Sequence, residues 1–132
     1  MLHGADLQGA TLSAGALRRV LDERGVPHIR AEHEADMYRA LGYVHAQDRL
    51  FQMEMLRRLA RGELAEVMGP RLIETDRLFR SLRIRERAAT YLTEQDPQSP
   101  AWIAMQAYLD GINRYQETQS LGNQLFFQVP AL

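Results

Sequence analysis

The stretch Leu41-Gly42-Tyr43-Val44-His45-Ala46-Gln47-Asp48-Arg49-Leu50-Phe51-Gln52-Met53-Glu54-Met55-Leu56-Arg57-Arg58 reads as the middle of one long helix. Leucine, methionine, alanine, glutamine and arginine dominate it, and these residues lose little side-chain freedom in a helix. The helix is expected over about 34–61, with Gly62 standing where it would stop. A helix turns about 100° per residue, so Met37, Leu41, Val44, Phe51, Met55 and Leu59 share one line. Asp48 falls on that line, between Val44 and Phe51. Tyr43, Ala46, Leu50 and Met53 lie opposite, so the other side is not a clean polar face either. A helix that is apolar on two sides needs protein on two sides.

On the amino-terminal side a β-hairpin is expected over about 16–31. Glu23-Arg24-Gly25 supplies the turn, and Gly25 can take a positive φ. Pro27 suits the start or the edge of the second strand, where no ladder hydrogen bond is asked of it. Two strands alone are marginal in water, so the pair calls for a larger sheet. Residues 1–11 are small and polar, and poor order is expected there. On the carboxyl-terminal side further helices are expected over about 63–118, punctuated by Gly69-Pro70 and Asp96-Pro97. Ser99-Pro100 opens the last of them with a capping hydroxyl and a proline at the first helical position. Trp102, Met105, Leu109, Ile112 and Tyr115 form its apolar face, and Gly111 weakens it without ending it. An apolar tail over 121–132 has no visible partner. The fold class is α+β, a mostly α-helical chain with one β-hairpin.

At 132 residues the chain is the size of one domain, and its 45% hydrophobic and 25% charged content is that of an ordinary globular protein. A net charge of -1 gives no case for nucleic-acid or anionic-membrane binding, so neither is expected as a partner. There is no cysteine, which excludes disulfides, thiolate catalysis and cysteine-type zinc sites. No apolar run approaches membrane-spanning length. The first sixteen residues lack the basic start and continuous apolar core of a signal peptide.

Candidate chemistry is sparse. His28, His33 and His45 show no metal-binding spacing, and Glu32-His33-Glu34 reads as a solvated helix entrance. Ser13, Ser81, Ser99 and Ser120 lack the surroundings of a nucleophile. Arg57, Arg58 and Arg61 with Glu54 and Glu63 read as a solvated or inter-subunit charge cluster. Asp48 stands out, because a carboxylate inside an apolar stripe must be paired, hydrogen-bonded or neutral. The structural reading makes it a buried polar anchor taking a bond from an arginine or a backbone N–H. The functional reading makes it a general acid or base. The structural one is preferred, since no second catalytic group is placed beside it by sequence.

Gly25-Val26-Pro27-His28-Ile29 followed by Leu41-Gly42-Tyr43-Val44-His45-Ala46-Gln47-Asp48-Arg49-Leu50-Phe51-Gln52-Met53-Glu54 closely resembles the penicillin acylase family. Arg57-Arg58, Gly62, Leu64-Ala65-Glu66, Gly69, Asp76 and Arg80 continue the agreement, which runs over about 17–114. The likeness is to the amino-terminal part of the α chain.

This resemblance implies an N-terminal-nucleophile hydrolase with a four-layer αββα sandwich, cut from a precursor into α and β chains. The β chain's terminal serine attacks an amide carbonyl, and its own α-amino group takes the proton. The partners implied are the β chain of the same precursor and a small N-acyl substrate in the intact enzyme, with self-association where apolar faces stay uncovered. No catalytic, metal or substrate residue of the family maps onto these 132 residues. They are expected to need no cofactor, while calcium belongs to the intact enzyme. The chain alone is expected to be inactive. Family resemblance points to the periplasm, and the absence of a visible signal peptide leaves the cytoplasm. The rival reading is a stand-alone helical protein-interaction module that covers its own apolar faces.

Overall fold

In the first strands, arginine, valine and leucine on one side of a glycine turn meet proline, histidine and isoleucine on the other. β1 (Arg18–Leu21) and β2 (Pro27–Arg30) pair antiparallel, with Arg18 opposite Arg30 and Leu21 opposite Pro27. The structure is a computed structural model, and it describes residues 18–119. The expectations for residues 1–17 and for the apolar tail 121–132 lie outside the described residues. Asp22 builds the turn. Its Oδ1 accepts the backbone N–H groups of Arg24 at 2.9 Å and Val26 at 2.8 Å, while Gly25 takes φ 75°. The Val26 N–H and then His28 at 3.2 Å hold the Asp22 carboxyl below the usual carboxylate range.

Five helices follow. They are α1 (Glu34–Arg61), α2 (Ala65–Met68), α3 (Ile73–Ser81), α4 (Ile84–Thr93) and α5 (Pro100–Glu117), with a 3-10 turn at Pro70–Leu72. Gly62 ends α1 at φ 67°, the left-handed position that glycine takes without a Cβ penalty. The Ser99 side chain accepts the Trp102 N–H at 3.2 Å and caps α5, with Pro100 at its first turn. Within α1 the backbone leaves helical geometry at Arg49, with φ -135° and ψ 20°.

The described residues divide into two compact units, one containing residues 18–48 and 97–119, the other residues 49–96. In the first unit α1 and α5 meet through their smallest residues. A Cβ on Gly42 would stand 2.0 Å from the Tyr108 carbonyl oxygen, and one on Gly111 would stand 1.9 Å from the Arg39 carbonyl oxygen. Each glycine lets the other helix's backbone come into contact. Among the described residues the buried apolar side chains are Ala40, Val44, Ala46 and Ala107, all in this unit. In the second unit the buried residues are Glu54, Gly62 and Asp76.

This packing corrects the sequence reading of α1. Asp48 is exposed rather than buried. The buried residues on the first half of α1 are Asp36, Ala40, Gly42, Val44 and Ala46, so on the Asp48 line Val44 is buried and Leu41 half-buried, whereas Met37 and Phe51 are exposed. The reason is physical. Close approach of a second backbone favours the small residues of α1, and Met37 and Phe51 are left outside the contact. The kink at Arg49 also ends the straight wheel that placed Asp48 between Val44 and Phe51. α5 behaves likewise, since Ala107 and Gly111 are buried while Trp102, Met105, Leu109 and Ile112, across the helix, are only partly so.

Candidate functional site

The second unit is held together by carboxylates. Glu54 has 1% of its surface exposed. Its Oε2 accepts from Arg57 Nε at 2.7 Å, and its Oε1 accepts from Arg57 Nη2 and Arg58 Nε, each at 2.8 Å. Burial alone would raise the Glu54 carboxyl, but the two guanidiniums outweigh it and hold the group below the usual carboxylate range. Arg57 is pushed up in return by its bond to Glu54. Arg58 reaches on to Glu66 at 3.1 Å. The cluster expected to be solvated or inter-subunit thus has a buried acid at its centre.

Asp76 on α3 does comparable work for the backbone. Its two carboxylate oxygens accept the N–H groups of Leu64 at 2.9 Å and Ala65 at 2.8 Å, capping α2 from eleven and twelve residues away. One turn later Arg80 donates through Nε to the Gly62 carbonyl at 2.8 Å. Gly62 leaves the room for this, because a Cβ there would lie 2.6 Å from both the Arg80 side chain and the Asp76 carbonyl. Asp76→Ala strands two backbone donors and is expected to cost about 2 kcal/mol. Urea unfolding measures the loss, and faster hydrogen exchange at the Leu64 and Ala65 amides localises it.

The first unit carries its own polar lock. Arg39 donates through Nε to Asp110 at 2.6 Å and through Nη1 to Asp36, and Arg114 joins Asp110 at 3.0 Å. Burial opposes ionisation of Asp110, and the bonds from Arg39 and Arg114 still hold its carboxyl below the usual range. His45 Nδ1 lies 3.0 Å from the Tyr108 hydroxyl, whose phenol burial pushes up, so it stays protonated at neutral pH. Tyr43 meets Tyr115 edge to face at 5.4 Å.

None of these arrangements is a bond-breaking centre. A cavity of about 340 Å³ in the second unit is lined by Arg61, Glu63, Phe79, Arg80, Ile84 and Arg85 among others, and no nucleophile there faces a base. Among the described residues no group of three or more histidines and acids could hold a metal ion. What the geometry does display is large apolar side chains turned outward. Phe51 and Leu56 are each 60% exposed, and Met68, Leu78, Leu82 and Tyr91 are exposed as well.

Residues 20–130 match the sequence model of the family described as penicillin amidase. The chain belongs to the penicillin amidase family. It is 44% identical over 94 residues to the penicillin acylase 2 proenzyme of Pseudomonas sp. (strain SE83), covering 71% of this chain and 12% of that protein. It is 36% identical over 106 residues to the penicillin G acylase of Escherichia coli, covering 80% and 12%. It is 41% identical over 91 residues to the acyl-homoserine lactone acylase QuiP of Pseudomonas aeruginosa, covering 69% and 10%. A solved structure of a thermostable penicillin G acylase from Alcaligenes faecalis superposes with a TM-score of 0.71 at 28% identity, covering 91% of this chain and 67% of that one. The chain therefore spans between 10% and 12% of the length of these curated relatives.

Several residues on which the sequence resemblance rests share one physical role here. Arg57 and Arg58 hold Glu54, Arg58 reaches Glu66, Asp76 caps Leu64 and Ala65, and Arg80 binds Gly62. Sequence reasoning missed Glu54 and Asp76 as buried acids. The available signal was the pairing of Asp76 with Arg80 four residues on, which puts both on one face of α3.

Proposed function

We propose that this chain supplies the amino-terminal α-chain part of an amidohydrolase whose nucleophile sits on a β chain of the same precursor. The intact enzyme cleaves N-acyl amide bonds through an acyl-enzyme. The nucleophile's oxygen attacks the carbonyl carbon, its proton passes to the terminal amine, and that proton then goes to the departing nitrogen. Water next attacks the acyl ester and frees the acid. The acyl donor is a β-lactam side chain, an acyl-homoserine lactone or a similar amide. The two substrate names carried by its relatives support this class. In this division the α-chain part touches none of the reacting atoms. Glu54, Asp76 and Gly111 keep its helices in place so that it can be docked. Calcium, if the intact enzyme holds it, is bound elsewhere than by the described residues, and no step runs through it. Export to the periplasm is part of the same proposal.

The observation that carries this reading is the family match of residues 20–130 on a chain whose second unit turns its large apolar side chains outward. A stand-alone interaction module would cover Phe51 and Leu56 itself. The test is complementation in two pieces. The E. coli penicillin G acylase, expressed without the segment that this chain matches, is mixed with the 132-residue chain. The chain alone is expected to leave penicillin G intact, and the mixture to release the side-chain acid. Turnover by the isolated chain, or a co-eluting pair without turnover, overturns the proposal.

A further inference from the structure

The cavity of about 340 Å³ in the second unit is lined from the end of α1, from α3 and from the start of α4. Three guanidiniums face it, those of Arg61, Arg80 and Arg85, and each has hydrogen-bonding capacity to spare. Arg61 Nε is buried and has no hydrogen-bond partner among the described residues. It lies 3.0 Å from Glu63 Oε2, but its N–H is turned away from that oxygen, so charge alone holds the pair. Arg80 gives its Nε to the Gly62 carbonyl, and nothing among the described residues takes its two Nη groups. Arg85 Nη1 stands 4.0 Å from Glu63 Oε1, beyond hydrogen-bond reach. A buried donor left without an acceptor is costly, and one beside a polar cavity marks a place for a water or an ion.

We infer that this cavity binds a carboxylate, its two oxygens on the guanidiniums and its apolar body against Ala60, Phe79 and Ile84. Arginine's planar fork matches the two oxygens of a carboxylate. Charge selects a monoanion. Glu63 and Glu86 also line the cavity, so its three arginines exceed its acids by one, and a dianion would meet net repulsion. Size selects a small ligand, because the volume is at the low end for ligand sites. α4 begins at this cavity with no capping side chain, and the positive end of its dipole favours the same charge. The carboxylate has two sources of one chemistry, a free organic acid or an aspartate or glutamate side chain from the rest of a precursor.

Benzoate is the probe. Titrated into the 132-residue chain, it is expected to saturate and to shift the amide resonances of residues 60–63 and 79–86. Benzamide has the same shape without the charge, and inorganic phosphate has charge without the apolar body. Each is expected to bind about tenfold more weakly or worse. Arg85→Gln is expected to weaken benzoate by about tenfold, and Arg61→Gln by about the same or more. The Arg85 side chain is 68% exposed, so its replacement leaves the fold in place, and circular dichroism checks this. Benzoate that does not saturate, that shifts amides elsewhere, or that binds both variants as it binds the unmodified chain overturns the site. Benzamide binding as tightly as benzoate overturns it too. Adding the E. coli penicillin G acylase that lacks the matched segment reads the source. Benzoate kept by the co-eluting pair assigns the site to a free acid, and benzoate excluded from it assigns the site to a side chain of the partner. The titration itself needs only this chain, so its failure leaves the enzyme reading standing, and failure of that reading leaves the site.

Discussion

Gly111→Ala is expected to destabilise the chain by about 3 kcal/mol or more, the upper range for forcing atoms into a packed contact. That corresponds to a fall of about 12 °C or more in Tm for a domain of this size. The new methyl would lie 1.9 Å from the Arg39 carbonyl oxygen and 2.8 Å from the Tyr43 nitrogen, and both are backbone atoms that cannot swing away. Gly42→Ala should behave in the same way against the Tyr108 carbonyl, at 2.0 Å. The sign makes the test sharp. In a helix that touched nothing, alanine in place of glycine would stabilise by about 1 kcal/mol. Urea unfolding that showed either variant unchanged or stabilised would rule out the close α1–α5 contact.

Glu54→Ala is the second large effect. It leaves the guanidiniums of Arg57 and Arg58 without the carboxylate that satisfies them, and removing one partner of a buried pair costs about 3 kcal/mol. Glu54→Gln keeps the volume and removes the charge, so it separates electrostatics from packing. The Glu54 carboxyl is held below its ordinary value in the folded chain, after its bonds to Arg57 and Arg58 overcome the burial that opposes ionisation. A depressed carboxyl contributes its stability above the unfolded-state value and loses it as pH falls through the folded-state value. Wild-type stability should therefore decline as pH drops below the ordinary glutamate range. The decline should be shallower in Glu54→Gln. It does not vanish, because Asp110 is shifted in the same direction and contributes a slope of the same sign. Parallel pH profiles for wild type and Glu54→Gln would contradict the role given to Glu54.

Local chemistry made much of the fold legible. The stop at Gly62, the glycine turn at Gly25 and the Ser99-Pro100 start of α5 each follow from conformational rules that act within a few residues. The choice of buried face did not follow. The apolar stripe from Met37 to Leu59 reads as the core line, yet only Val44 of it is buried, beside Ala40 and Ala46, while Met37 and Phe51 are exposed. That choice is made by Gly111, some seventy residues away, which lets a backbone approach only along a line of small residues. Gly42 and Gly111 were the signal, since glycine inside a helix is unfavourable unless something must come close. Asp48 is exposed although Val44, one turn before it on the same line, is buried, because the helix leaves its straight course at Arg49. Glu54 and Asp76 were illegible as buried acids because their burial depends on partners rather than on hydropathy. Met37 and Phe51 nevertheless keep the meaning the stripe has in the sequence, large apolar side chains of α1 that the described residues leave exposed.

The second unit fully buries no apolar side chain of its own, and in the proposed enzyme the rest of the precursor completes it. Hydrogen exchange of the full 132-residue chain, alone and with the E. coli penicillin G acylase lacking the matched segment, tests it most directly. In the chain alone, amides of α3 should exchange much faster than those of α5 around Ala107 and Gly111, and they should become protected when the partner is added. Protection of α3 equal to that of α5 in the isolated chain, unchanged by the partner, would contradict the claim.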